Sequence, residues 1–366
     1  MVKSKEISNV EKEAVIDSLL KEMSDFHNKE LKESEKPTAV SMSDKPRMII
    51  ESFNDTMERA SKMETPKMLF SELWHEGELC LLFADTNIGK TVLAMNIATS
   101  ISSGISVKGF KLTAKAQKVV YFDYELSEKQ VERRYSYQDA LGNTIDSHKF
   151  SENFFRATVN HNSDQKSEGV LGDIEDAIKK SGASVFIIDN LTALGAEMEQ
   201  AKNAIVLMKG LLRLKEEYKC SILVIAHTPK RDNGFPITKN NLAGSAVIGN
   251  LADSMFALGS SNRNDQRYIK QIKQRFTEQV YGADNVITCE LVKHDTYLSL
   301  DFKGFDYEEE HLKVVSLEEK QEIREDIYLY KKSNPSMSIR ALARHFDATK
   351  SFIEVALKKG KENESK

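Results

Sequence analysis

The stretch Leu81–Ala98, "LLFADTNIGKTVLAMNIA", passes from an apolar run through a loop ending in Gly-Lys-Thr into residues of helical period. A phosphate loop needs successive backbone N–H groups turned inward, a lysine for the β and γ phosphates, a hydroxyl for Mg²⁺ and a helix whose positive end faces the anion. Here "ELCLLF" supplies the strand, "ADTNIGKT" the loop and "VLAMNIA" the helix. The nucleotide-binding residues are then Ala84, Asp85, Thr86, Asn87, Ile88, Gly89, Lys90 and Thr91. Gly89 permits close backbone approach, Lys90 brings the charge and Thr91 the metal hydroxyl, so ATP is the expected substrate and Mg²⁺ the cofactor. Ala84 stands where such loops usually begin with glycine, and Asp85 is an acid beside a polyanion. Alanine is small and Asn87 tolerates left-handed conformations, so the loop can close, while Asp85 must turn away from the phosphates or weaken their binding.

Around this loop the pattern from Pro66 to about Leu312 alternates short apolar runs, "ELCLLFA", "KVVYFDYE", "SVFIIDN" and "CSILVIAHT", with helix-period stretches such as "AIVLMKGLLRLKEEY". Apolar runs of this length suit strands buried on both faces, which calls for a parallel sheet with crossover helices. The expected fold is α/β, doubly wound, with a mostly parallel sheet. "RYIKQIKQRF", "NVITCELVKH" and "TYLSLDF" alternate polar with apolar, as half-exposed strands of an edge or meander would. The expected organisation is an N-terminal amphipathic helix (1–35), a linker and short helix (36–64), the core (65–312) and a separate helical tail (316–366).

The 366 residues carry 52 Lys and Arg against 56 Asp and Glu, so contact with a polyanion requires a local basic patch. Cys80, Cys220 and Cys289 are far apart and lack metal-ligand spacing, which suits buried thiols in a reducing compartment. The N-terminus is charged and no apolar run approaches the roughly 18 residues of a membrane span. A cytoplasmic protein without membrane contact is expected.

"VFIIDN" ends a strand in Asp189, placed as a Walker B acid for the Mg²⁺ shell; "VVYFDYE" carries Asp123 and Glu125; "ILVIAHTPK" puts His227 and Thr228 at a strand terminus; "NLAGSAVIGNLADSMFAL" follows. In this order the motifs resemble a RecA-fold ATPase, specifically the plasmid RepA-type and DnaB-type hexameric helicase branch with its AAA family ATPase relatives. The resemblance covers about Pro66 to Asp301. It implies that Glu125 polarises the attacking water, with Asp123 as the rival, and that His227 is a polar sensor of the γ-phosphate. A satisfied core histidine is the alternative for His227. Ser245 and Asp253 match a family segment without a chemical role.

"SSNRNDQRYIKQIKQRF" holds Arg263, Arg267, Lys270, Lys273 and Arg275 against one acid, Asp265. Period two puts Lys273 and Arg275 on one face of the expected strand. The resemblance implies that such a Lys-x-Arg pair reaches into a neighbour's nucleotide site, in a homo-oligomeric ring, a hexamer in that branch. The alternative is a charged edge strand that guards against aggregation. In the tail, Ser338 caps a segment with Ile339, Leu342, Ala343 and Phe346 on one face, and after a short turn Phe352, Ile353, Ala356 and Leu357 repeat the pattern up to Gly360 as the stop. This resembles a helix-turn-helix. Nine Lys or Arg against four Asp or Glu between 327 and 366 suit phosphate contact, with Arg340, Lys350 and Ser351 as the DNA-binding candidates. The competing reading of the tail is a protein-docking bundle.

Taken together, the expectation is an ATP-hydrolysing, helicase-like motor or switch that assembles on DNA, in replication or maintenance of a plasmid or other mobile element by resemblance alone. The runner-up is a nucleotide-switched regulatory or defence protein with slow hydrolysis and no unwinding. A docking scaffold without nucleotide is the third reading.

Overall fold

The computed structural model describes residues 48–160, 169–190, 201–228, 233–242, 246–263, 265–313, 317–346, 348 and 350–364. The expected helix within 1–35, the first part of the linker and Ser245 lie outside them. The chain falls into two compact units, Met1–Glu64 and Thr65–Lys366. The first contains helix α1 (Phe53–Ser61), where the Ser52 hydroxyl accepts the Asp55 amide at 3.1 Å as an N-cap. Phe53 and Met57, one turn apart, are exposed on it.

The second unit is built on strands β1 (Met68–Phe70), β2 (Trp74–His75), β3 (Leu79–Ala84), β4 (Val119–Asp123), β5 (Ser136–Gln138), β6 (Thr144–Ser147) and β7 (Phe154–Ala157). They are followed by β8 (Val185–Asp189), β9 (Ser221–His227), β10 (Ser254–Ser260), β11 (Gln266–Lys273), β12 (Val286–His294) and β13 (Tyr297–Asp306). The helices of the unit are α2 (Lys90–Ser103), α3 (Glu128–Arg134), α4 (Val170–Ser181), α5 (Ala201–Tyr218) and α6 (Ala246–Leu251), then α7 (Leu317–Ser333), α8 (Ile339–His345) and α9 (Lys350–Glu364).

Nine strands form the main sheet in the order β13-β12-β11-β10-β3-β9-β8-β4-β7. From β10 to β7 every pairing is parallel, and β10-β11-β12-β13 is an antiparallel meander. The fold is thus α/β with a mixed, mostly parallel central sheet. The apolar runs are strands because alternate residues enter two cores: Cys80, Leu82 and Ala84 of β3 pack on the α2 side, Leu79, Leu81 and Phe83 on the α5 side. The three cysteines are free and buried. No helix among the described residues is long and apolar enough to cross a membrane.

Helices α7, α8 and α9 enclose a small core of Ile327, Leu342, Ile353 and Ala356. Ser338 caps α8 as expected, its hydroxyl accepting the Ala341 amide at 3.2 Å. Two expectations are corrected. Ile339, assigned to the apolar face, is 38% exposed because it opens the helix outside that core. Gly360 does not stop α9, which continues to Glu364. The glycine serves close packing instead, since a Cβ there would lie 2.2 Å from Cγ of Tyr328 on α7.

Gly360→Ala should therefore lower stability by about 1–3 kcal/mol through overpacking, although alanine is the better helix former. Thermal unfolding of the full chain checks this. The cost should shrink in a Tyr328→Ala background, and a melting temperature at or above that of the parent chain would refute the close contact.

Candidate nucleotide site

β3 runs straight into the loop and α2 begins at Lys90. Gly89, its N-cap, has φ 108° and ψ 22°, and Asn87 has φ 64°. Both lie in the left-handed half of backbone space, which suits glycine and is tolerated by asparagine. The free amides at the start of α2 and the positive end of its dipole face the loop. Ala84 needs no glycine freedom: it is the last residue of β3, paired with His227 of β9 and Leu258 of β10. Thr86 and Asn87 are exposed, and Ile88 packs against the core.

The Lys90 ammonium is buried and donates to the carbonyls of Ala84 at 3.0 Å and Asp85 at 2.6 Å. Burial pulls its pKa down, against the pull of Asp189, Glu125 and Asp85. The carboxylate of Asp85 accepts the Thr228 hydroxyl, and the Thr228 amide donates to Ala84 O at 3.1 Å. The acid is thus turned onto the end of β9.

Two carboxylates on the β4 side have different surroundings. Asp123 closes the strand and is buried, with its Oδ1 accepting the amides of Glu125 at 3.1 Å and Leu126 at 2.9 Å and its Oδ2 accepting Arg156 Nε at 2.9 Å. Glu125 lies beyond the strand end, where its carboxylate accepts the Asn190 amide and stands 3.5 Å from His227 Nε2. The His227 contact holds the Glu125 carboxyl below the usual range, against burial. Asn190 Nδ2 lies 2.9 Å from His227 Nε2, which joins the three side chains into one cluster.

Asp189 ends β8 beside Thr91, with Tyr121 OH donating to its Oδ2 at 2.6 Å. Its other oxygen, Oδ1, is buried with no hydrogen-bond partner among the described residues. Burial pushes this carboxyl up, opposed first by the Tyr121 hydroxyl. A buried, unpaired carboxylate oxygen near a phosphate loop is a hard ligand of the kind Mg²⁺ takes, so Thr91 and Asp189 fit the ion.

Lys273 and Arg275 do not share a strand face, because β11 ends at Lys273. Lys273 pairs with Met255 at the start of β10, at the sheet end remote from the loop. Its ammonium donates to the carbonyls of Gly249, Asn250 and Ala252, capping the end of α6, while Arg275 reaches Asp253 at 3.2 Å and Asn250 O at 3.0 Å. Arg340 and Lys350 are exposed on α8 and α9, and the Ser351 side chain lies outside the described residues. Sequence reasoning gave no role to Asn190, Tyr121 or Arg156, since only the registers of β4 with β8, Asp123 opposite Asp189, and of β4 with β7, Tyr121 opposite Arg156, bring their elements together. Arg267, named only as one of the basic positions of its stretch, donates to Ile88 O at 3.0 Å and ties the meander to the loop.

Residues 49–233 match the family model described as AAA domain. The chain belongs to the AAA domain family. It is a P-loop nucleoside triphosphatase of that kind, with the loop at 84–91 inside the matched AAA region. Among solved structures, a KaiC-like protein from the hyperthermophilic archaeon Pyrococcus horikoshii is similar at 16% identity, with a TM-score of 0.41, over 62% of this chain and 90% of that one. No curated protein matches the sequence.

The surroundings of the two acids in this AAA domain predict different consequences of their loss. Asp123→Ala should cost about 1.5–3 kcal/mol, because it strips a buried charged acceptor from two amides and Arg156. Glu125→Gln should stay within about 0.5 kcal/mol of the parent. Denaturant unfolding of both variants checks the contrast, and equal losses would contradict it.

Proposed function

We propose that the chain is a magnesium-dependent, RecA-like ATPase that assembles with copies of itself and acts on DNA as a helicase-like motor or switch. The observation that carries the hydrolytic part is the cluster at the carboxyl ends of four neighbouring strands: Lys90 after β3, Glu125 after β4, Asp189 and Asn190 at β8, and His227 on β9. Open parallel sheets bind ligands at this edge. Thr91 and Asp189 would hold Mg²⁺, which when bound neutralises charge on the β and γ phosphates. Lys90 exchanges its two loop carbonyls for phosphate oxygens. Glu125, ionised and half-exposed, accepts a proton from the attacking water, while Asn190 and His227 orient its carboxylate. His227, in contact with that base, is placed to report the γ-phosphate.

Arg275 lies too far along the sheet to serve its own loop, so we assign it to a neighbouring copy's site, with Lys273 holding the α6 end beside it. For DNA, the support is the basic excess of residues 327–366 on a three-helix unit that has its own core, read as a helix-turn-helix with α9 as the recognition helix. Plasmid or mobile-element replication remains the setting that the family resemblance suggests. One observation favours the second reading, a nucleotide switch with slow turnover: Lys90 on the loop's own carbonyls makes contacts that nucleotide must break.

Steady-state ATP hydrolysis tests the reading. Lys90→Ala should abolish turnover, and Glu125→Gln should keep ATP bound while slowing hydrolysis about 10²–10⁴-fold. Arg275→Ala should bind ATP and turn over poorly, with partial recovery on mixing with Lys90→Ala subunits, because each supplies what the other lacks. Full activity in Glu125→Gln would remove the assigned base, and no recovery in co-assembled subunits would remove action in trans.

Deleting residues 316–366 should weaken duplex binding and flatten its dependence on salt. Duplex titrations at several salt concentrations check this. Equal binding by the truncated and full chains would favour a docking role for the tail.

A further inference from the structure

Along the flank of α2, away from the phosphate loop, lies a cavity of about 750 Å³. It is bounded by the helix from Asn96 to Ser103, by the loops at 105–108 and 148–151, and by the β12–β13 hairpin. None of the residues assigned to nucleotide, metal or DNA lines it. Ser100 is 5% exposed and Ser299 8%, both line the cavity, and neither hydroxyl has a hydrogen-bond partner among the described residues. With no such partner, both hydroxyls are available to a polar ligand or water in the cavity, each as donor and acceptor.

The remaining wall is aromatic and basic. Phe150, Tyr297 and Phe302 line it, with the His148 ring 4.4 Å from that of Tyr297. Burial, followed by the neighbouring Lys293, holds the pKa of His148 down. Lys303 is paired with Glu290, and His294 with Asp301 at 2.7 Å. Lys108 and Lys149 are different: both are exposed at the cavity, and neither forms an ion pair among the described residues.

We propose that this cavity is a second ligand site, for a nucleoside monophosphate. The base lies among Phe150, Tyr297 and Phe302, the phosphate meets Lys108 and Lys149, and Ser100 and Ser299 bond the polar edge of the ring or sugar. A cavity of this volume falls in the range of small-molecule sites and holds one nucleotide, which favours a mononucleotide over a nucleic-acid strand. The site is separate from the phosphate loop, since Ser100 lies ten residues beyond Lys90 on the same helix, about 15 Å along its axis.

Calorimetric titration of full-length Lys90→Ala with AMP, GMP, CMP and UMP tests this without relying on hydrolysis. The parent chain saturated with a non-hydrolysable ATP analogue provides a second background if that variant misfolds. At least one monophosphate should give a saturable one-to-one isotherm in either background. The double variant Lys108→Glu/Lys149→Glu, altered only at exposed positions, should bind that nucleotide at least about tenfold more weakly. Four outcomes overturn the proposal: no monophosphate binds, the charge reversal leaves affinity unchanged, inorganic phosphate alone binds as tightly, or only a single-stranded oligonucleotide binds.

Discussion

β3 is buried on both faces and hydrogen-bonded on both edges, and the rest of the second unit is arranged by that constraint. A strand so placed must be apolar throughout, must split its side chains between two cores and must have parallel neighbours reached by crossover helices. Its register then decides what stands at its carboxyl end: Ala84 lies level with His227, and two strands further on Asp123 lies level with Asp189. Polar groups excluded from the cores collect at this one edge. There the Lys90 ammonium is buried among Asp85, Glu125 and Asp189, an arrangement tolerated because carbonyls and carboxylates surround the charge.

The loop in this structure is closed on itself. Lys90 spends its protons on Ala84 and Asp85, Asp85 holds Thr228, and Arg267 holds Ile88 from the antiparallel side of the sheet. Thr228 directly follows His227, so the segment contacted by Asp85 is continuous with the residue that touches Glu125. The loop's Asp85 and the Glu125 carboxylate are therefore linked through two adjacent residues. Arg267 extends that link to β11, so the meander contributes to the site although it carries none of the phosphate-loop residues.

The parallel core was legible in the sequence because continuous apolar runs of strand length have few other uses, and the phosphate loop because its spacing carries a mechanism. Asp85 illustrates the limit: that it had to turn away was readable, but its partner Thr228 lies 143 residues on and is supplied by strand order. Position nearer the carboxyl end of the strand favours Glu125 over Asp123, and Arg156, from β7, adds a difference in their surroundings that has no local signal. Periodicity placed Leu342, Phe346 and Ile353 in the tail's core but read Gly360 as a stop, since the approach of Tyr328 from another helix leaves no local signal. Continuing period two through Arg275 failed because the strand ends at Lys273, whose side chain turns to cap α6.

The central claim is that Lys90, Asp189 and Glu125 form one hydrolytic site. A crystal structure of the full chain with Mg²⁺, ADP and aluminium fluoride would test it most directly. The account predicts the Lys90 ammonium on phosphate and fluoride ligands instead of the Ala84 and Asp85 carbonyls, Asp189 in the metal's shell, and the in-line water hydrogen-bonded to Glu125. A transition-state mimic bound with its water on Asp123 or on no carboxylate, or with Lys90 still on the loop carbonyls, would contradict it.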